Sequence, residues 1–297
     1  MKDRHLTTFV ADLWKRALPE GSFAMKPGGK YRTDATAWAV IALSAAGENP
    51  DLLKPFRASL AMNQLDNGMV PFSADHPEAI WTTPLAILAW QGSNEFSSTK
   101  DKAIDFLLMT SGVHFTRKPD APVEHDTSLK GWPWTSKAHS FLEPTALSVI
   151  ALRTTSHESH ERVQEALLML MDRQLTKGGW NYGNTKVFGR ELYPMPETTG
   201  MALAAIAGMV PKTSVDRSLN YLRSNVGQAR TPITLGWSLL GLSAYGERPD
   251  NAERLIIECF NLQKKYGIYD TAMLSLLILA FLAKDGIVNA FKHGVME

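Results

Sequence analysis

The sequence predicts an all-α chain folded as a single (α/α)6 toroid, six helix-pair repeats closed into a ring. Three observations carry this. An apolar segment recurs six times with a threonine fixed in its third place. An amphipathic segment precedes each copy. The last apolar segment is too greasy to leave one flank facing water, which favours a closed ring over an open solenoid.

The apolar copies begin at Asp34, Trp81, Glu143, Glu197, Pro232 and Tyr269. Their threonines are Thr36, Thr83, Thr145, Thr199, Thr234 and Thr271, spaced 47, 62, 54, 35 and 37 residues apart. Aliphatic and small residues follow on nearly every side, the pattern of a helix buried all round. The amphipathic segments are roughly 7–18, 51–64, 99–112, 158–174, 213–226 and 249–265. In the fourth, Val163, Ala166, Leu167, Leu170 and Met171 fall at helical spacing with charge elsewhere. The repeats therefore run approximately 7–47, 51–92, 99–154, 158–210, 213–246 and 249–285, an inner apolar ring inside an outer amphipathic one. Pro84, Pro144, Pro196 and Pro232 suit first-turn positions of their helices.

Composition narrows the function. Lys+Arg is 31 against Asp+Glu 30, with no basic stripe, so nucleic acid is not an expected partner. One cysteine, Cys259, leaves no disulfide framework and no multi-thiolate metal site. The longest apolar run, 272–283, is shorter than the ~20 residues a bilayer span takes. No basic face argues for membrane docking, and no signal-peptide core is visible near residue 1, so the expectation is a cytoplasmic protein that is not an integral membrane protein.

Connectivity then locates the function. Outer-to-inner loops leave at one rim. In the first four repeats they run about 19–33, 65–80, 114–142 and 175–196; in the last two they are expected to shrink to about three residues. Long loops in compact domains are usually functional, so the site is expected on that rim, toward repeats one to four. Asp34, Glu143, Glu197 and Asp270 sit at inner-helix starts and are the candidate catalytic acids. Trp38, Trp81, Trp132, Trp134, Trp180, Tyr182, Tyr193, Trp237 and Tyr269 are the candidate substrate-binding aromatics. An acid in an apolar mouth can stay protonated and donate its proton, and aromatic faces stabilise a cation by ~0.5–2 kcal/mol each. The competing readings are structural: acids favoured at helix N-termini, threonines tying helix starts to neighbouring repeats, and Trp132 and Trp180 packing between repeats. No metal or other cofactor is expected. His114, His125 and His139, near Glu124 and Asp126, have irregular spacing and read as solvated loop histidines.

Gln174 followed by Gly178 and Trp180 reads Gln-x3-Gly-x-Trp. Gln64-x3-Gly68 with Phe72, and Gly131-Trp132-Pro133-Trp134 ahead of Glu143-Pro144-Thr145, are degenerate copies. With the six inner repeats, this resembles the terpenoid cyclase and protein prenyltransferase α/α-toroid superfamily, in particular squalene-cyclase-like QW repeats. The resemblance covers nearly the whole chain. It implies an isoprenoid substrate cyclised in an aromatic cavity by an inner-helix acid. The superfamily's Asp-x-Asp-Asp-Thr-Ala acid motif is not intact: the nearest string, Tyr269-Asp270-Thr271-Ala272, puts Tyr269 where the donor Asp belongs. The zinc-binding Asp-x-Cys of prenyltransferases and the thioester string of complement-like toroids are missing. Two other functions stay open, a non-catalytic toroid holding a lipid or a partner protein at the long-loop rim, and a carbohydrate-active toroid using a carboxylate pair.

Overall fold

The computed structural model describes residues 4–118 and 120–292. The chain opens with α1 (Arg4–Trp14) and a hairpin of β1 (Ala17–Leu18) and β2 (Ser22–Phe23), then runs α2 (Thr33–Ala45), α3 (Pro50–Met62), α4 (Thr82–Ala89), α5 (Ser97–Met109), α6 (Leu142–Thr154) and α7 (Glu161–Asp172). A second hairpin, β3 (Lys186–Val187) and β4 (Arg190–Glu191), precedes α8 (Pro196–Ile206), α9 (Asp216–Asn225), α10 (Pro232–Ser243), α11 (Ala252–Asn261), the single turn α12 (Gln263–Tyr266), α13 (Thr271–Leu282) and α14 (Ile287–Lys292).

The inner helices α2, α4, α6, α8, α10 and α13 each pack on the next, and α13 returns to α2. The toroid is closed. Nearly every inner-helix residue is buried, as their all-round apolar sequence requires. The seam is bonded as well as packed. Thr271 donates its backbone N–H to Met25 O (2.9 Å) and its hydroxyl to Ala24 O (2.6 Å), and Arg16 reaches Tyr269 O (3.0 Å). Helix α1 packs on α13, taking the outer place beside the last inner helix.

The threonine repeat has a mechanical meaning. The hydroxyls of Thr36, Thr83, Thr145 and Thr199 accept the backbone N–H of Phe23, Val70, Trp132 and Trp180, at 2.9, 3.1, 2.9 and 2.9 Å. Each bond fastens a long loop to the start of its inner helix inside the core, where an unpaired N–H would go unsolvated. Thr145→Val is therefore expected to lower stability by about 1–3 kcal/mol, read as a shift in a urea unfolding midpoint.

The Gln-x3-Gly turns seat against the next outer helix. Gln174 Nε2 donates to Ser218 Oγ (2.8 Å) and Gln64 Nε2 to Thr99 O (2.9 Å). A Cβ on Gly178 or Gly68, both at positive φ, would strike the backbone of Arg217 or Lys102.

Three features depart from expectation. The last two outer-to-inner connections are 226–231 and 262–270, longer than about three residues, because α9 and α11 end early and the chain continues in short helical turns. Two small hairpins stiffen the first and fourth long loops. Helix α14, absent from the sequence reading, follows α13 and packs on α6 and α8. Its Ile287, Val288 and Ala290 are buried. It follows the C-terminal end of α13 and so lies against the ring at the short-loop end.

Candidate functional site

At the long-loop rim, adjacent inner helices α6 and α8 each present a glutamate in the first turn, Glu143 and Glu197. Both are half-buried. Glu197 is held from two sides: Tyr182, from the loop between α7 and α8, donates its hydroxyl to Oε1 (3.0 Å), and Thr234 of α10 donates to Oε2 (3.2 Å). Thr234 is thus the member of the threonine repeat that bonds a carboxylate rather than a loop backbone, because no long loop precedes α10.

Burial, and secondarily the negative charge of Glu197, push the Glu143 carboxyl up to about 7. Burial and then the hydrogen bond to Glu197 also raise the Tyr182 phenol. Burial and the same carboxylate's charge push Tyr221 up to about 12, and Tyr221 donates to Pro194 O (2.7 Å). The site therefore has two carboxyl groups in different environments, Glu197 held by two hydroxyls and Glu143 pushed up by burial.

About one helical turn further along the inner helices come the apolar residues Trp38, Leu147, Met201, Trp237 and Met273, buried or half-buried. Trp38 and Trp237 meet edge to face at 6.2 Å although α13 separates their helices in the ring, so their rings meet inside it. Trp38 keeps 8% exposure. A half-buried aromatic wall stands on the side of repeats one to three. Phe72 packs on Trp81 (5.7 Å), Trp81 packs edge to face on Trp134 (5.6 Å), and the Arg32 guanidinium lies 4.7 Å over Phe72. Tyr193 is 85% exposed on the outer edge of the rim.

The other sequence candidates are placed elsewhere. Asp34 is engaged at both oxygens by Arg32 (2.9 and 2.7 Å). Asp270 caps α13 by accepting Met273 N–H (2.8 Å). Tyr269 turns outward, its hydroxyl on Cys259 O of α11 (2.9 Å). Trp132 and Trp180 are fully buried, their indole N–H groups bonded to Leu107 O (3.0 Å) and Leu170 O (2.7 Å) at the ends of outer helices. Both follow glycine turns that feed them between the helix layers, so they pack rather than line the mouth. His125 is buried and not solvated. Among the described residues, no group of three or more His, Cys, Asp and Glu is arranged to hold a metal ion, and no helix is long and apolar enough to cross a membrane. Arg32 is the site residue that sequence reasoning missed. Its only signal was its position two residues before Asp34.

No family model and no curated protein matches the chain. Solved structures match its fold over nearly its full length. A variant of the type II terpene cyclase MstE from Scytonema, in complex with its substrate geranylgeranyl dihydroxybenzoate, is 13% identical at a TM-score of 0.64, covering 95% of this chain and 96% of that one. A novel α-amylase from Clostridium perfringens is 12% identical at 0.60, covering 95% and 99%. A novel endo-β-1,4-glucanase from an Achatina fulica gut metagenomic library is 14% identical at 0.58, covering 95% and 97%. The chain therefore has the α/α-toroid fold that terpene cyclases share with these glycan-cleaving enzymes.

Proposed function

We propose that the mouth is an acid-catalytic site that cyclises an isoprenoid, with Glu143 as proton donor. The observation that carries the reading is a glutamic acid whose carboxyl is pushed up to about 7 by burial, at the start of an inner helix on the rim that also carries Phe72, Trp81 and Trp134. The Glu143 proton adds to a terminal alkene, whose π electrons form the new C–H bond and leave a carbocation. A neighbouring alkene attacks the cation and closes a ring. The final cation loses a proton to water, and the Glu143 carboxylate regains one from solvent, so the net change is isomerisation. The faces of Phe72, Trp81, Trp134 and Trp38 offer ~0.5–2 kcal/mol each to a passing cation, and the Glu197 carboxylate adds charge stabilisation. MstE, of the same fold, is a type II terpene cyclase.

A second reading rests on the same pair. A pair of carboxyl groups, one of them raised by burial, is also what glycoside hydrolysis uses, with Glu143 as acid and Glu197 as its partner. The amylase and glucanase neighbours keep that reading in play.

The test is incubation with squalene and geranylgeranyl-bearing polyenes in heavy water, beside a soluble-glycan panel. A product of substrate connectivity isomerised, carrying one deuterium and absent with Glu143→Gln, supports cyclisation. Release of reducing ends instead, equally lost with Glu143→Gln, transfers the site to glycans. Saturable polyene binding with no product in either assay leaves a non-catalytic lipid-binding toroid and defeats the acid reading.

A further inference from the structure

Closure of the ring brings the first and last connections together, although 247 residues separate Thr271 from the Ala24 carbonyl it bonds. At this seam an open groove of about 610 Å³ runs between α1 and the end of α11. Ala11, Pro27, Phe260 and Ile268 supply its apolar side, and Lys15 and Lys264 also line it. Its one acid, Asp12, is paired with Arg16 and Lys15.

Charge around the groove is one-sided. In the two connections that meet there, 15–32 and 262–270, Lys15, Lys26, Lys30, Lys264 and Lys265 are exposed against one exposed acid, Glu20. The whole chain carries a net charge of +1, so folding concentrates at the seam a basic character that no run of the sequence shows. Lys26 and Lys30 sit on one ordered turn, closed by the Ala24–Tyr31 bridge and by the Gly29 N–H on Lys26 O (3.0 Å). Among the described residues, neither they nor Lys264 and Lys265 have an ion-pair partner.

Apolar side chains project beside these cations. Tyr266 is 67% exposed, Ile268 55% and Met25 37%, and the Lys265 ammonium lies 4.9 Å over the Tyr266 ring. The pattern continues around the rim. Each of the six outer-to-inner connections, or the helix start it feeds, exposes a large apolar side chain: in order Met25, Leu65, Phe115, Phe188, Ile233 and Ile268. A peptide in the groove would meet the seam alone, whereas a flat surface meets all six connections on one rim. Lysines with long apolar stems, beside tyrosine and aliphatic tips, are the chemistry of a membrane–water interface.

We infer that the long-loop rim docks on an anionic phospholipid bilayer, with the seam lysines on the headgroups and Met25, Tyr266 and Ile268 entering the interface. Attraction to the anionic surface is screened by salt, while the apolar tips add contact that salt does not weaken. Docking of this kind is independent of any reaction at Glu143.

The experiment is flotation of the full-length chain with vesicles of two parts phosphatidylcholine to one part phosphatidylserine, beside vesicles of phosphatidylcholine alone. The chain is expected to float with the mixed vesicles, to bind phosphatidylcholine alone more weakly by about tenfold or more, and to leave the mixed vesicles as salt is raised. Lys26→Glu with Lys264→Glu should weaken binding by about tenfold or more. Lys102→Glu with Lys137→Glu, the same charge reversal at exposed positions of repeat three, should bind like the parent. Tyr266→Ser with Ile268→Ser removes two exposed tips, should melt no lower than the parent and should also weaken binding. Failure of the folded parent to float with the mixed vesicles would overturn the docking surface and leave the groove to a protein partner. Equal binding to both compositions, parent-like binding by either seam variant, or an equal loss with the repeat-three control would overturn it as well.

Discussion

Glu143→Gln is expected to abolish turnover and, at the same time, to make the folded chain more stable above neutral pH. The folded carboxyl titrates near 7 against 4.5 in the ordinary range, so between those values the folded chain holds a proton that the unfolded chain has released. Its contribution is most favourable below about pH 4.5 and is lost as pH rises through about 7, a swing of up to about 3 kcal/mol. The amide is isosteric and never ionises. The variant should therefore match the parent near pH 4, exceed it by about 1–3 kcal/mol at pH 8, and lose that segment of the stability–pH slope, all readable from urea midpoints across pH. In whichever assay registers product, general-acid catalysis is worth about 10²–10⁴-fold, so loss of that size is expected. The parent's rate should fall as pH rises through about 7, where the donor form disappears. Turnover that survives the substitution would remove Glu143 as the acid. A variant less stable at pH 8 would make the carboxyl a structural group.

The second large effect concerns the frame that holds the pair. Gly200 of α8 faces the backbone of α10: a Cβ there would lie 2.2 Å from Trp237 O and 2.4 Å from its carbonyl carbon. Gly241 answers from α10, where an added Cβ would lie 2.7 Å from Gly200 Cα. These two helices touch backbone to backbone, so no side chain can rotate to make room. Gly200→Ala should cost about 3 kcal/mol or more in unfolding free energy. It should also weaken the site, because Glu197 stands one turn above Gly200 and its partner Thr234 is on α10. Parting the helices lengthens that bond. Gly227→Ala, with nothing within 4 Å of the added carbon, is the control and should change stability by no more than about 0.5 kcal/mol. A Gly200→Ala chain as stable as that control would mean that the α8–α10 contact is looser than the distances require.

Much of this architecture is legible in residue order. An inner helix apolar on all faces has one solution, burial on all faces, and the threonine in its third place marks where each one starts. The unequal loops single out one rim by connectivity alone, the rim on which the proposed site lies. The site is legible only as a list of possibilities. Asp34, Glu143, Glu197 and Asp270 look alike in sequence because each is an acid at a helix start, where the backbone favours a carboxylate whatever its role. What separates them are neighbours distant in the chain or dependent on rotamer: Arg32 closing on Asp34, the Met273 N–H on Asp270, and Tyr182 and Thr234 holding Glu197 while Glu143 is left to burial. The aromatics divide in the same way. Trp81 and Trp134 meet edge to face at the rim, whereas Trp132, two residues from Trp134, turns between helix layers to bond Leu107 O.

By itself, the sequence determined the all-α class, the six-fold repeat, ring closure and the rim to which the long loops run, since each follows from hydrophobic periodicity and chain connectivity, which are properties of residue order. Tertiary structure alone decided that α14 packs on α6 and α8 at the far end, that α1 packs on α13, and that burial pushes the Glu143 carboxyl up toward neutrality. Burial and electrostatic fields depend on distances through space, and residues far apart along the chain set those distances.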